Sequence, residues 1–177
     1  MTSNNKPFAM FFNASPRKGW NTAKMLEAAK AGAEEAGAET ELVNLYDISF
    51  PGCKSCFACK LKNAKTDGVC AIRDDLRPVL ERARKADVLV LGSPNWWGTM
   101  APPVRTWVTQ NKGALKGKKV CLFQTHGGGG MQRVGKEFAE TVGDAATVLS
   151  PKAFGGSSIK SNVKALEDFA DERIAGK

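Results

Sequence analysis

Four of the five cysteines in this chain fall between residues 53 and 70. Cys53, Cys56 and Cys59 stand three apart, and Cys70 follows after ten further residues. Thiolate sulfur is a soft ligand, and four thiolates in one segment can wrap a 4Fe-4S cube in which each iron takes one. Zinc is a second option, although paired Cys-x2-Cys knuckles are its more usual pattern. A third reading needs no metal: cysteines spaced by three can lie along one side of a short helix and pack as small apolar groups. Lys54, Lys60, Lys62 and Lys65 nearby would favour the thiolate, and with it oxidation. All three readings stay open at this level. Cys121 stands alone inside an apolar run and reads as buried and structural.

A second constellation is Ser15-Pro16-Arg17-Lys18-Gly19-Trp20-Asn21-Thr22. It links an apolar run to a helix start, where free N–H groups and the helix dipole attract phosphate. Ser15, Asn21 and Thr22 add short donors, and Arg17 can fork onto phosphate oxygens. A plain turn with an Asn or Thr cap is the simpler reading. The hydroxyls and the cation together favour an anion site. Further on, Gly130-Met131-Gln132-Arg133-Val134-Gly135-Lys136-Glu137 follows Walker A spacing until its last position. Glu137 stands where a Mg²⁺-binding Ser or Thr belongs, and Gly135-Lys136 fall within a predicted helix, which argues against a nucleotide triphosphatase. No G-x-G-x-x-G follows a strand, so a resident Rossmann-type nicotinamide is not expected.

The elements that must position these groups alternate along the chain. Phe8–Phe12 is a continuous apolar run and reads as a buried parallel strand. A helix from near Thr22, with Met25, Leu26 and Ala29 on one face, stops at Gly37. Leu42-Val43 with Leu45 gives a second strand, and Asp74 or Asp75 caps a helix running to about Ala86. Val88–Leu91 is a third strand, broken by Gly92-Ser93-Pro94, and Pro102-Pro103 opens a helix through Val108. Lys119–Gln124, a helix from about Gln132 to Val142, the strand Thr147–Leu149 and a last helix, Ser161–Ala175, complete the series. Strands alternating with crossovers demand a parallel sheet covered on both faces. The expectation is one domain over residues 1–177, with ligands beyond the carboxyl ends of the strands.

Composition narrows the class of function. At 42% hydrophobic and 25% charged residues, the 177-residue chain fits a globular protein. Its apolar runs are too short to span a bilayer, and a polar N-terminus does not read as a signal peptide, so a cytoplasmic protein is expected, with no membrane partner. Twenty-six Lys and Arg against eighteen Asp and Glu leave a net charge of +8. Because these cations are scattered, no nucleic-acid partner is expected, whereas a phosphorylated cofactor suits the excess.

Ser15-Pro16-Arg17, three variable residues, then Asn21-Thr22 resembles the phosphate loop of the flavodoxin-like NAD(P)H-dependent FMN reductases, a family that includes the iron–sulfur flavoproteins. Leu45-Tyr46-Asp47, the cysteine segment closing in Asp74-Asp75-Leu76, and Gly92-Ser93-Pro94 extend the resemblance. Asn95-Trp96-Trp97-Gly98-Thr99-Met100 is similar to the flavin loop of flavodoxins proper. What the resemblance implies is a three-layer α/β sandwich around a five-stranded parallel sheet of order 2-1-3-4-5, binding FMN. Its phosphate would sit on Ser15, Arg17, Asn21 and Thr22. Pro94, Asn95, Trp96, Trp97, Gly98, Thr99 and Met100 would hold the ring from one side, with a tryptophan as its flat wall. Thr125, His126, Gly127 and Gly128 would hold it from another, since glycines allow close backbone approach. His126, the only histidine, could meet the flavin or simply be solvated. No side chain need be a catalytic acid or base. NAD(P)H would visit transiently, and a small molecule or protein would accept the electrons. The competing reading is a flavodoxin-type electron carrier, with or without a 4Fe-4S cluster on Cys53, Cys56, Cys59 and Cys70. In iron–sulfur flavoproteins the last cysteine interval is usually shorter, so Lys62–Gly68 is an insertion against that pattern. The family also implies a homo-oligomer.

Overall fold

A computed structural model describes residues 6–63, 65, 66 and 68–155. Strand β1 (Phe8–Asn13) lies between β2 (Glu39–Asn44) and β3 (Val88–Trp96), parallel to both. Beyond β3 lies β5 (Lys119–His126), also parallel. The last position is shared by two short strands: β6 (Thr147–Val148) pairs with the start of β5, and β7 (Lys152–Gly155) with its end. The spatial order β2-β1-β3-β5-β6 is the one expected. Among the described residues seven strands are present rather than five, for two reasons. Pro151 lies where the fifth strand divides, and β4 (Thr99–Met100) folds back antiparallel on the end of β3.

The central strands β1, β3 and β5 are buried on both faces, and their side chains alternate between two cores as period two requires. Ala9, Phe11, Val88, Val90, Cys121 and Phe123 face helix α1 (Asn21–Glu35) and its Met25, Leu26, Ala29 and Ala33. Met10, Phe12, Leu89, Leu91, Val120 and Leu122 face the opposite layer. That layer comprises α2 (Leu76–Ala83), α3 (Pro102–Gln110), α4 (Lys112–Leu115) and α5 (Met131–Val142). Trp107 of α3 is fully buried, its ring 4.9 Å from that of Phe12. Among the described residues, no helix is long and apolar enough to cross a membrane.

Two boundaries differ from the sequence reading. Gly92-Ser93-Pro94 does not break β3, which continues to Trp96. β1 ends opposite Gly92, so beyond that point no strand on that side needs the N–H that Pro94 lacks. Asp74 and Asp75 share the start of α2: Asp74 Oδ1 accepts the Leu76 N–H at 3.1 Å, and Asp75 Oδ2 accepts that of Ser49 at 3.3 Å. The expected helix Ser161–Ala175 lies outside the described residues.

Candidate functional site

β1, β3 and β5 end side by side, and the connections leaving them enclose a cleft of about 220 Å³. From the first connection come Ser15, Arg17, Asn21 and Thr22, with Trp20 beside them. Pro94, Asn95 and Trp96 enter from β3, and Thr125, His126 and Gly127 from β5. Three stretches distant in sequence, with Thr22 and Pro94 about seventy positions apart and Trp96 and Thr125 about thirty, meet because parallel strands place all their carboxyl ends on one edge.

The first connection is shaped by its own side chains. Asn13 Oδ1 accepts the Ser15 N–H at 3.0 Å, and Ser15 Oγ accepts that of Arg17 at 3.2 Å. Asn13 is itself held by donating its amide to Asn44 Oδ1 at 2.9 Å. Helix α1 then opens with Trp20 as the preceding residue, no side-chain cap and no acidic residue in its first turn. The Asn or Thr cap allowed by the sequence is therefore not formed, and Asn21 and Thr22 are the first helical residues. Free N–H groups and an unopposed dipole face the cleft. The Arg17 guanidinium stacks over Trp20, 4.9 Å from the ring centroid. Thr22 is tied to the third connection by a buried hydroxyl–hydroxyl bond to Thr125 at 2.8 Å.

On the β3 side the expected loop is a hairpin. Asn95 and Trp96 pair with Met100 and Thr99 across a two-residue turn, in which Trp97 and Gly98 both take positive φ, +57° and +73°. Such a turn suits glycine, and Trp97 adopts it with its ring 95% exposed. Trp96 is half-buried and borders the cleft, so the adjacent tryptophans divide between cleft and solvent. Trp97, Gly98, Thr99, Met100 and Gly128 do not line the cleft. Trp97, Thr99 and Met100 border a second groove with Pro102, Arg105 and Thr106, and Trp96 lies between the two, lining both. Gly98 packs against Gly130, whose added Cβ would come within 3.2 Å of its Cα. Tyr46, beside a neighbouring groove with Phe50, has its phenol pushed up by burial.

Sequence reasoning missed two groups. Trp20, an aromatic inside a polar loop, carried a signal that could have been used. Glu137 carried none: its carboxylate reaches Thr99 and Met100 only through the packing of α5.

His126 Nδ1 is buried in the cleft wall without a hydrogen-bond partner. An orphaned polar atom of this kind marks a place for a ligand or ordered water. With Arg17, the uncapped helix start and the Trp96 ring, it makes a cleft whose donors and apolar wall fit a phosphorylated, flat aromatic group such as FMN.

The cysteine segment lies apart from this description. Cys53, Cys56 and Cys59 are exposed and Cys70 is half-buried. The Cys53 sulfur accepts the Ser55 N–H at 3.4 Å, and Asn111 Oδ1 accepts that of Cys70 at 3.5 Å. Among the described residues of the segment only Ala58–Lys60 forms a helical turn, and Ser55 and Phe57 take positive φ, so Cys53, Cys56 and Cys59 do not lie packed along a helix. Among the described residues, no three His, Cys, Asp or Glu side chains gather about one point where a metal ion could bind. As arranged here, the four thiols do not fit a cluster. Cys121 is fully buried, as expected.

A family model described as NADPH-dependent FMN reductase matches residues 9–155, which takes in all three connections. The chain belongs to this FMN reductase family. Relatives of this FMN reductase family chain include an iron–sulfur flavoprotein of Archaeoglobus fulgidus, 34% identical over 105 residues, covering 59% of this chain and 49% of that protein. Another, from Methanosarcina thermophila, is 35% identical over 86 residues, 49% of this chain and 42% of that one. The chain thus spans about half the length of the curated relatives it matches. Among solved structures it is similar to an NAD(P)H:quinone oxidoreductase from Methanothermobacter marburgensis, with a TM-score of 0.71, 18% identity, and 94% and 98% of the two chains covered. It is also similar to the Megasphaera elsdenii flavodoxin, with a TM-score of 0.63, 21% identity, and 93% and 98% covered. At such identities the likeness establishes the flavodoxin-like fold of this FMN reductase family member.

Proposed function

We propose that this chain binds FMN in the cleft and acts as an NAD(P)H-dependent oxidoreductase that delivers electrons to a quinone, flavin or similar acceptor. The observation that carries the reading is the convergence, in one cleft, of the Arg17 cation, the uncapped start of α1, the Trp96 ring and the orphaned His126 Nδ1. Arg17, Ser15, Asn21 and Thr22 hold the phosphate; Pro94, Asn95 and Trp96 wall the ring; and Thr125, His126 and Gly127 close the other side. Bound FMN supplies the hydride and electron chemistry, which no side chain here offers. The protein's own part is to bind, orient and shield. Trp97–Met100 and Gly128 take part by shaping the two loops.

The reading includes a second copy of the chain. A cleft of about 220 Å³ falls below the roughly 300–1,000 Å³ that encloses a ligand of this size. Part of the flavin would therefore stand outside it, where a second copy could cover it. Sedimentation equilibrium with and without FMN measures this directly.

A second reading, an electron-transfer protein with a 4Fe-4S cluster on Cys53, Cys56, Cys59 and Cys70, is favoured by one observation. The curated relatives are iron–sulfur flavoproteins. It requires the four thiols to gather from their present places.

One experiment separates these readings: anaerobic purification, a visible spectrum, iron analysis, and an assay of NADPH oxidation with a quinone. Two flavin bands without iron, and NADPH oxidation that depends on the quinone, are expected. Flavin bands over a broad shoulder, with about four irons per chain, would move the assignment to the second reading. A colourless protein that takes up no added FMN would refute both.

A further inference from the structure

We propose that Glu137 is a positioning residue of the flavin site: its carboxylate sets the pitch of the Asn95–Met100 hairpin and thereby the presentation of Trp96 to the cleft. The inference rests on the FMN reading and adds a residue that lies outside the cleft.

The hairpin cannot hold its own position. It has two ladder pairs, Asn95 with Met100 and Trp96 with Thr99, and an isolated ribbon of that size is not stable in water. Its turn places a tryptophan in the left-handed region, an unfavourable choice for a residue with a Cβ, and buries almost nothing in return. Buried Met100 and the Ala101 N–H given to Ser93 Oγ at 2.9 Å anchor its base, so the pitch of the outer end is what other elements must fix.

Helix α5 provides that support. Val134, Phe138 and Val142 are fully buried and anchor the helix in the core, which leaves the neighbouring Glu137 carboxylate as a fixed post. Its oxygens accept the Thr99 hydroxyl at 2.8 and 2.9 Å and the Met100 N–H at 3.1 Å. Arg105 of α3 donates to the same carboxylate and, at 2.6 Å, to Thr99 Oγ1. A closed triangle of side chains from β4, α3 and α5 results. Glu137 is only 21% exposed, so these charge-assisted bonds are partly shielded from water. On the opposite edge, Asn95 donates to Gly129 O at 2.6 Å and accepts the Gly98 N–H at 3.0 Å. The hairpin is thus gripped on both edges, by the Gly-rich connection and by α5. Glu137 occupies the position that spoils the Walker-like pattern, and this contact accounts for the acid there.

The test compares FMN with riboflavin, which lacks the phosphate. Glu137→Ala should weaken both by the same factor, about tenfold, and alter the visible circular dichroism of the bound ring. Thr99→Val, which removes one hydroxyl and keeps the carboxylate, should do the same to a smaller degree, and Glu137→Gln should restore most of the affinity. Arg17→Ala serves as the contrast, weakening FMN and leaving riboflavin unchanged. Urea midpoints establish that each variant is folded; if Glu137→Ala is not, Thr99→Val and Glu137→Gln decide. Wild-type affinity for riboflavin and an unchanged ring signal in these variants would overturn the proposal and leave the FMN reading intact. A loss confined to FMN would also overturn it, by placing the effect at the phosphate. A wild-type chain that binds neither flavin would overturn both.

Discussion

At Asn95 the amide is committed before any ligand arrives, giving one N–H to Gly129 and its oxygen to Gly98. As a residue type it reads as a ring donor; in place it is mainly a brace between two loops, with one N–H left for a ligand. The pair Trp96-Trp97 was easier to interpret, because adjacent residues in a loop rarely both point inward. Their adjacency required one exposed ring, and Trp97 is that ring. Its backbone carries the cost of a left-handed φ of +57°. Trp97→Asn, a residue that tolerates this region, should therefore stabilise the free chain by about 0.5–1 kcal/mol. The urea midpoint with an unchanged m-value would check this. A loss of stability would mean that the indole has contacts beyond those seen here.

Elements pack through single points that sequence patterns do not mark. Gly92 lies where β3 meets α1, and an added Cβ would sit within 2.8 Å of Leu26 Cγ. Gly92→Ala should cost about 1–3 kcal/mol by overpacking, read as a lower thermal midpoint. Leu26→Ala in the same chain should recover part of that loss. At the start of α2, burial pushes the Asp74 carboxyl above its ordinary 3.8, a displacement that the Leu76 N–H opposes and Asp75 assists. A raised folded value favours the protonated form, so this group's stabilising share is complete below 3.8 and is lost as pH rises through the folded value. Asp74→Asn keeps the oxygen that accepts the Leu76 N–H and removes the titration. Its stability relative to wild type should therefore rise as pH climbs above that ordinary value and then level off. A difference that stays flat in urea titrations from acid to neutral pH would refute the account.

Over the whole molecule, the net charge of +8 surrounds a cleft whose proposed ligands, FMN and NADPH, are anions. Long-range attraction of this kind is screened within about 3 Å at 1 M salt. The KM for NADPH should accordingly rise several-fold between low salt and about 1 M, while that for an uncharged quinone should barely move. Parallel rises for both would point instead to a salt effect on folding or assembly.

The parallel sheet and the edge that carries the cleft were legible in the sequence, while the order of the strands came from the family resemblance. Alternating apolar runs and amphipathic stretches oblige a parallel sheet with crossovers, and such a sheet collects its loops at one end. The make-up of Ser15–Thr22 was legible too, because its cation, hydroxyls and helix start are contiguous. The tertiary structure decided everything that depends on groups distant in sequence. Thr22 meets Thr125 across 103 positions, and Thr99 meets Glu137 across 38. It also placed Trp96 at the cleft while keeping Trp97–Met100 out of its lining, and gathered no three of the four clustered cysteines about one point. The physical reason is the same in each case: local chemistry is written in neighbouring residues, whereas convergence depends on how helices seat on the sheet, and that is a property of the packed core.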